Sequence, residues 1–330
     1  MKKILITGGA GFIGLHLANR LIRDGYSVHL IDNFSRAVED KELDEVLNNP
    51  AVEFSNIDIL DEKELLKVNK DYDVIFHLAA IIGVSHVMDR PYDVMLDNIR
   101  MLANMIELAK SQKDLSRFMF ASTSEVYAGT LSHFGMEIPT PERTALAISD
   151  LSHPRTSYML SKIYGEAMCH QAGIPFTLFR PHNIYGPRMG LSHVIPEQLQ
   201  KAHKSSDGDE IMVFSPEHTR CFCYVDDAVE SLKRMMELDC CEDQTLNLGV
   251  QEPEINMLDL AKICYSVVSK DLNIMTKPAS PGSPVRRQPN MELMNKLTGF
   301  KPQIDLSEGI ERTYAWYKHN IFNGNTVSAK

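Results

Sequence analysis

Short apolar runs alternate with amphipathic stretches through the first half of the chain. The runs at 4–7, 28–32, 52–56, 74–78, 117–122 and 176–180 have the length and continuous Val, Ile, Leu and Phe content of strands buried on both faces. Between them the period lengthens to that of a helix. Leu15, Leu17, Leu21 and Ile22 share one face before Asp24-Gly25 ends the first segment, and Val94, Leu96, Ile99, Leu102, Met105, Ile106 and Leu108 mark another over 92–110. This alternation predicts an α/β chain built on a Rossmann-type, doubly wound parallel sheet. After Arg180 the elements shorten, because Pro181, Pro187, Pro196, Pro216 and several glycines interrupt them, and a smaller mixed α/β domain is expected. The run Thr245-Leu246-Asn247-Leu248 reads as a strand returned to the main sheet. The domains are then expected to interleave, with 1–180 rejoined by about 226–258 on one side, and 181–225 with 259–330 on the other. The polar stretch 323–330 is expected to fray.

The junction between the first strand and the first helix is Thr7-Gly8-Gly9-Ala10-Gly11-Phe12-Ile13-Gly14. A glycine turn here lets backbone approach a pyrophosphate, and the helix that follows aims unpaired N–H groups and its positive dipole end at the charge. Gly8, Gly11, Phe12, Ile13 and Gly14 are the expected pyrophosphate contacts. The second apolar run ends at Asp32, about 20 residues on, where a carboxylate accepts bonds from the adenosine ribose and repels a 2′-phosphate. NAD is favoured over NADP on this ground. Asn33 and Arg36 belong to the same expected ribose edge, although Arg36 is a cation that would also suit a 2′-phosphate.

Composition narrows the partners. The chain has 330 residues, 44% of them hydrophobic, enough for a large core, and a formal net charge of −10 with acids and bases interspersed. Non-specific nucleic-acid binding is not expected, so an anionic ligand must rely on local donors. No apolar stretch approaches the ~20 residues that span a bilayer, and Met1-Lys2-Lys3 leads straight into a strand, so neither membrane insertion nor a signal peptide is expected and the cytoplasm is the default compartment. The six cysteines contain no C-x-x-C pair and suggest neither metal nor disulfide framework.

Candidate chemistry lies further along. Tyr158 and Lys162 are four apart in a segment, 156–169, with helical character, so they share a face. An ammonium beside a phenol favours the phenolate, which makes Tyr158 a base for a substrate hydroxyl as hydride leaves the same carbon. The strand at 117–122 runs into Thr123-Ser124-Glu125-Val126-Tyr127, at the carboxyl end where open α/β sheets bind ligands.

Taken in order, Thr7 to Gly14, Asp32, Asp58-Ile59, His77-Leu78-Ala79-Ala80, Ala121 to Tyr127, Tyr158-x-x-x-Lys162 and Arg180-Pro181-His182-Asn183-x-Tyr185-Gly186-Pro187-Arg188 resemble the extended short-chain dehydrogenases/reductases, in particular the NAD-dependent nucleotide-sugar epimerase/dehydratase group. The resemblance covers nearly the whole chain. It implies that Thr123 is the hydroxyl partner of Tyr158, and that Lys162 holds the nicotinamide ribose and biases Tyr158 toward phenolate. It places Asp58 and Ile59 at adenine, Leu78, Ala79 and Ala80 along the pyrophosphate, and Asn98 and His182 on the cofactor side. Ser124, Asn183, Arg188, Arg220 and Arg287 are implied contacts of a nucleoside-diphosphate sugar, arginine being suited to phosphate by its planar fork. Ala128 stands where the family commonly has Gly, so the loop after Tyr127 is expected to shift. A homodimer through helices at 92–110 and 157–171 is also implied.

The shared first step would oxidise the sugar at C4. A 4-epimerase then needs only Thr123, Tyr158 and Lys162; a uronic-acid decarboxylase loses CO₂ from the β-keto acid; a 4,6-dehydratase needs a base at C5, for which Glu125 is the candidate. The sequence reading favours the 4-epimerase, with the decarboxylase and the dehydratase as alternatives. A nucleotide-sensing protein without turnover is a further alternative, against which the intact Tyr158 and Lys162 argue.

Overall fold

The computed structural model describes residues 2–148, 150–278 and 285–324. Each expected run forms a strand, with its ends moved by at most one residue: β1 (Lys3–Thr7), β2 (Ser27–Asp32), β3 (Val52–Asn56), β4 (Val74–His77), β5 (Arg117–Ala121) and β6 (Phe176–Pro181). A seventh strand, β7 (Gln244–Leu248), joins β6, and the fully parallel sheet has the order β7-β6-β5-β4-β1-β2-β3. Strand side chains alternate between two cores. Ile4 and Ile6 point into one and Leu5 into the other, each fully buried, which is why these strands read as continuous apolar runs.

Helices cover both faces. α1 (Phe12–Arg23) lies on one, and α2 (Pro91–Lys110) and α3 (Arg155–Gln171) pack together on the other. Beyond β6 come α4 (Val194–Lys204), α5 (Val225–Glu237), α6 (Met257–Val268) and α7 (Leu306–Tyr317). α5 packs on α1 and so belongs to the sheet, whereas α4, α6 and α7 pack on one another. Three small sheets accompany them among the described residues, one pairing Ile184–Tyr185 with Cys223–Tyr224. Glu210–Phe214 pairs with Asn273–Lys277, and Thr219–Arg220 is flanked by Ile255–Asn256 and Arg286–Arg287. The stretch from 325 onward lies outside the described residues.

Strand order reverses at β1, which has β2 on one side and β4 on the other. The carboxyl ends of β1 and β4 therefore form the switch point where open α/β sheets bind their ligands. The glycine turn and Leu78-Ala79-Ala80 both leave the sheet there.

Candidate active site

The glycine turn is held against the loop after β4. Gly8 has a φ of +69°, and a Cβ there would stand 3.0 Å from the Ala79 nitrogen; a Cβ on Gly14 would run into the Gly8 carbonyl. Thr7 fixes the other side, with its Oγ1 accepting from Ala79 N–H at 3.3 Å and its hydroxyl bonded to His77 Nδ1 at 2.9 Å. No side chain caps the first turn of α1, so the N–H groups of Phe12, Ile13 and Gly14 stay open to an anion. A pyrophosphate fits this cradle, which leaves room for backbone and no more.

Asp32 ties the cradle to the loop after β2. Its carboxylate accepts from the N–H of Ala10 (3.1 Å) and of Phe34 (2.9 Å), and burial raises its pKa. Each oxygen keeps acceptor capacity for a ribose hydroxyl. Asn33 donates to Asp58 at 3.2 Å, Asp58 accepts from Leu60 N–H, and Ile59 is buried below them. Asn98, buried on α2, bonds both N–H and C=O of Ile81 and reaches Ser161 of α3, so it positions the Leu78-Ala79-Ala80 loop from behind. Arg36 is on the exposed side of the loop and senses Tyr158 electrostatically.

The Tyr158 hydroxyl hydrogen-bonds that of Thr123. Thr123 caps the short turn Ser124–Tyr127 by accepting from Glu125 N–H at 3.2 Å. Lys162 donates to the Ala121 carbonyl at 2.8 Å, with its ammonium 4.8 Å from the Phe120 ring centre and 5.9 Å from that of Tyr158. Burial pushes the Lys162 ammonium down to about 8. Burial also raises the Tyr158 phenol, against which the Thr123 bond works. A cationic nicotinamide held beside Tyr158 would add positive charge that favours the phenolate.

Opposite this pair stand two arginines. Arg287 and Arg220 are register partners on neighbouring parallel strands, an unfavourable juxtaposition unless an anion answers it. Glu125 answers it in part, taking Arg287 in a two-pronged bond of 2.5 and 3.1 Å. Burial works to raise the Glu125 carboxyl, but Arg287 prevails and its pKa lies below the ordinary value. Arg220 donates to the carbonyls of Thr219 and Val285, and burial and Arg287 bring it down to about 10. Arg287, Arg220 and Glu125 are thus gathered beside Ser124.

The profile of the NAD-dependent epimerase/dehydratase family matches residues 4–249. The chain belongs to this family. It is an enzyme of the NAD-dependent, nucleotide-sugar-modifying kind, and its cofactor is NAD. UDP-N-acetyl-α-D-glucosaminuronate decarboxylase of Bacillus cytotoxicus is 31% identical to it, covering 96% of this chain and 98% of the relative. UDP-glucuronic acid decarboxylase 1 of Arabidopsis thaliana is 32% identical, over 97% of this chain and 71% of the relative. Among solved structures, UDP-glucuronic acid 4-epimerase of Bacillus cereus, in complex with UDP-glucuronic acid and NAD, superposes with a TM-score of 0.80 at 27% identity, over 96% of this chain and 99% of that one.

Two of the implied substrate contacts, Arg188 and Asn183, bond within the protein. Arg188 is nearly buried and its guanidinium is taken up by Asp40 (2.6 Å) and by the carbonyls of Ala10 and Val38, so it locks the segment after β6 to the cradle. Asn183 donates its amide to the Cys221 carbonyl and positions the strand that carries Arg220. The segment after Tyr127 forms a helix, Ala128–Phe134.

Sequence reasoning missed the floor of the site. Glu166 on α3 accepts from Ser122 (2.5 Å) and holds Arg180 by two bonds (2.9 and 2.6 Å). Arg180 donates to Tyr127, whose hydroxyl donates to Asn247 Oδ1, and the same oxygen meets His182 Nε2 at 3.2 Å. A signal existed for two of these. Glu166 follows Lys162 by four on one helix face, and Asn247 interrupts an apolar strand.

Proposed function

We propose that this enzyme decarboxylates a UDP-linked uronic acid through a 4-keto intermediate. The observation that carries the reading is the Glu125–Arg287 pair beside Thr123, backed by Arg220. A plain 4-epimerase has no task for it, which turns the reading away from the 4-epimerase favoured by sequence. Its relatives support this, two of them being decarboxylases of such sugars.

When bound, NAD supplies the acceptor and later the donor of hydride at C4. Tyr158, aided by Thr123, takes the proton of the C4 hydroxyl and returns it at the end, and Lys162 anchors the nicotinamide ribose. Oxidation at C4 makes the C6 carboxylate a β-keto acid. Arg287 holds that carboxylate with the N–H groups that Glu125 leaves open, while Glu125 lies close enough to repel it. Loss of neutral CO₂ relieves the repulsion. We further propose that two copies associate through α2 and α3, where Tyr92 and Tyr164 are exposed.

The test is to supply UDP-glucuronic acid and its 2-acetamido counterpart with NAD, measuring CO₂ and following the sugar by NMR. Release of CO₂ with a pentose product is expected. Arg287→Lys, which keeps charge but loses the fork, is expected to reduce kcat/KM by ~10- to 100-fold, equivalent to one or two charge-assisted hydrogen bonds. A retained carboxylate with inverted C4 would overturn the decarboxylase in favour of a uronate 4-epimerase.

A further inference from the structure

His182 has no task in the scheme above. It is 3% exposed, its ring lies against Tyr127, and its Nε2 meets Asn247 Oδ1. Asn247 Nδ2 donates to the carbonyls of Thr140 and Asn290, so its Oδ1 must accept, and His182 carries its proton on Nε2. Nδ1 is then a bare lone pair. It is buried and has no hydrogen-bond partner among the described residues.

His182 lines a cavity of ≈ 10 Å³, about the space of one water, whose other polar walls are Ser124, Tyr127, Thr140, Arg287 and Gln288. Three of these are already engaged, Tyr127 donating its hydroxyl to Asn247 Oδ1. Thr140 donates its hydroxyl to the Glu137 carbonyl, and Gln288 its amide to the Gln251 carbonyl. His182 and Ser124 remain, with the Arg287 charge beside them. An acceptor buried without a donor calls for a small donor that enters the recess, and a carboxylate alone cannot be one.

We propose that His182 Nδ1 and Ser124 Oγ seat a single water in this cavity, and that this water protonates C5 after CO₂ leaves. The proposal rests on the decarboxylase reading, in which Arg287 holds the C6 carboxylate, and Ser124 and Arg287 wall the same cavity. As the C5–C6 bond breaks, its electron pair becomes the C4–C5 enolate. The water gives a proton to C5 while the C4 carbonyl re-forms. The hydroxide left beside Arg287 takes a proton from solvent as product leaves. His182 is a positioning residue here, acting through the water. The pKa of its ring, brought down to about 3 by burial, keeps it a neutral acceptor.

The experiment runs the full-length enzyme with NAD and UDP-glucuronic acid in D₂O. Wild type is expected to place one deuterium on a single face of C5. His182→Phe, which keeps the ring packing and removes the lone pair, is expected to label both faces and to lower kcat by at least ~10-fold with KM little changed, the loss of a placed acid. Ser124→Ala takes away the other side of the seat, should give the same scrambling, and carries the test if His182→Phe fails to fold. His182→Gln, with an amide oxygen in reach, is expected to restore part of the selectivity. Nitrogen NMR of the wild-type imidazoles should show the Nε2–H tautomer for His182. Single-face labelling in folded His182→Phe and Ser124→Ala would overturn the proposal and leave the decarboxylase standing. A wild type that releases no CO₂ would overturn both.

Discussion

His77 and His182 are both buried, and burial brings each down to about 3 from an ordinary value near 6.5. Between those values the unfolded chain takes up protons that the native one refuses. Unfolding free energy must then fall with pH in this window, by up to about 1.4 kcal/mol per pH unit for each ring. From pH 7 to pH 5 one ring accounts for about 2 kcal/mol. Buried carboxylates such as Asp32, raised by desolvation, act in the opposite sense, so the informative quantity is a difference between variants. Denaturant titrations at the two pH values should show His182→Phe losing about 2 kcal/mol less than wild type on acidification. Equal losses would mean that the His182 ring is protonated in the native state.

Elements carry the next order of organisation, and α3 does so most heavily. One face of it offers Tyr158 and Lys162 to the ligand, and one turn later Glu166 anchors Arg180 of β6. Both members of that pair are almost wholly buried, with side-chain exposures of 5% and 7%. Removing one leaves the other charged without a partner, which costs about 3–5 kcal/mol. Glu166→Ala should therefore lower thermal stability sharply, whereas Glu137→Ala, which breaks the exposed pair with Arg143, should cost under about 1 kcal/mol. Comparable melting temperatures for the two would contradict this account. At this scale the sequence was legible wherever period and punctuation decide: six strands, the cradle and the Tyr158–Lys162 spacing all follow from local pattern. Arg188 was not legible, because its partner Asp40 is 148 residues away and no local rule brings them together. Glu125 and Arg287 escaped for the same reason. Each was visible as a candidate, but the pairing that gives them a role exists only after β6 and the strands of the smaller sheet are in place.

On the scale of the whole molecule, ligand and fold stabilise each other. The cradle, the Asp32 edge and the Tyr158 pocket come from segments spread over half the chain, so NAD binds native protein and not the unfolded chain. At a hundred times its Kd it should add about 2.7 kcal/mol to unfolding free energy, read as a rise in melting temperature. NADP at the same concentration should raise it less, since Asp32 faces the position of the 2′-phosphate; an equal rise would remove the basis for choosing NAD at this edge. Among the described residues no helix is long and apolar enough to cross a membrane. The strand β7 has a further consequence for how such a molecule is made. A ribosome finishes β1 to β6 long before it reaches residue 244, and until then β6 is an open sheet edge while Arg180, Tyr127 and His182 lack the Asn247 side chain that joins them. A nascent chain stopped short of β7 therefore has the glycine cradle but no floor beneath the sugar, and a truncated gene product would be an adhesive fragment and not a partial enzyme.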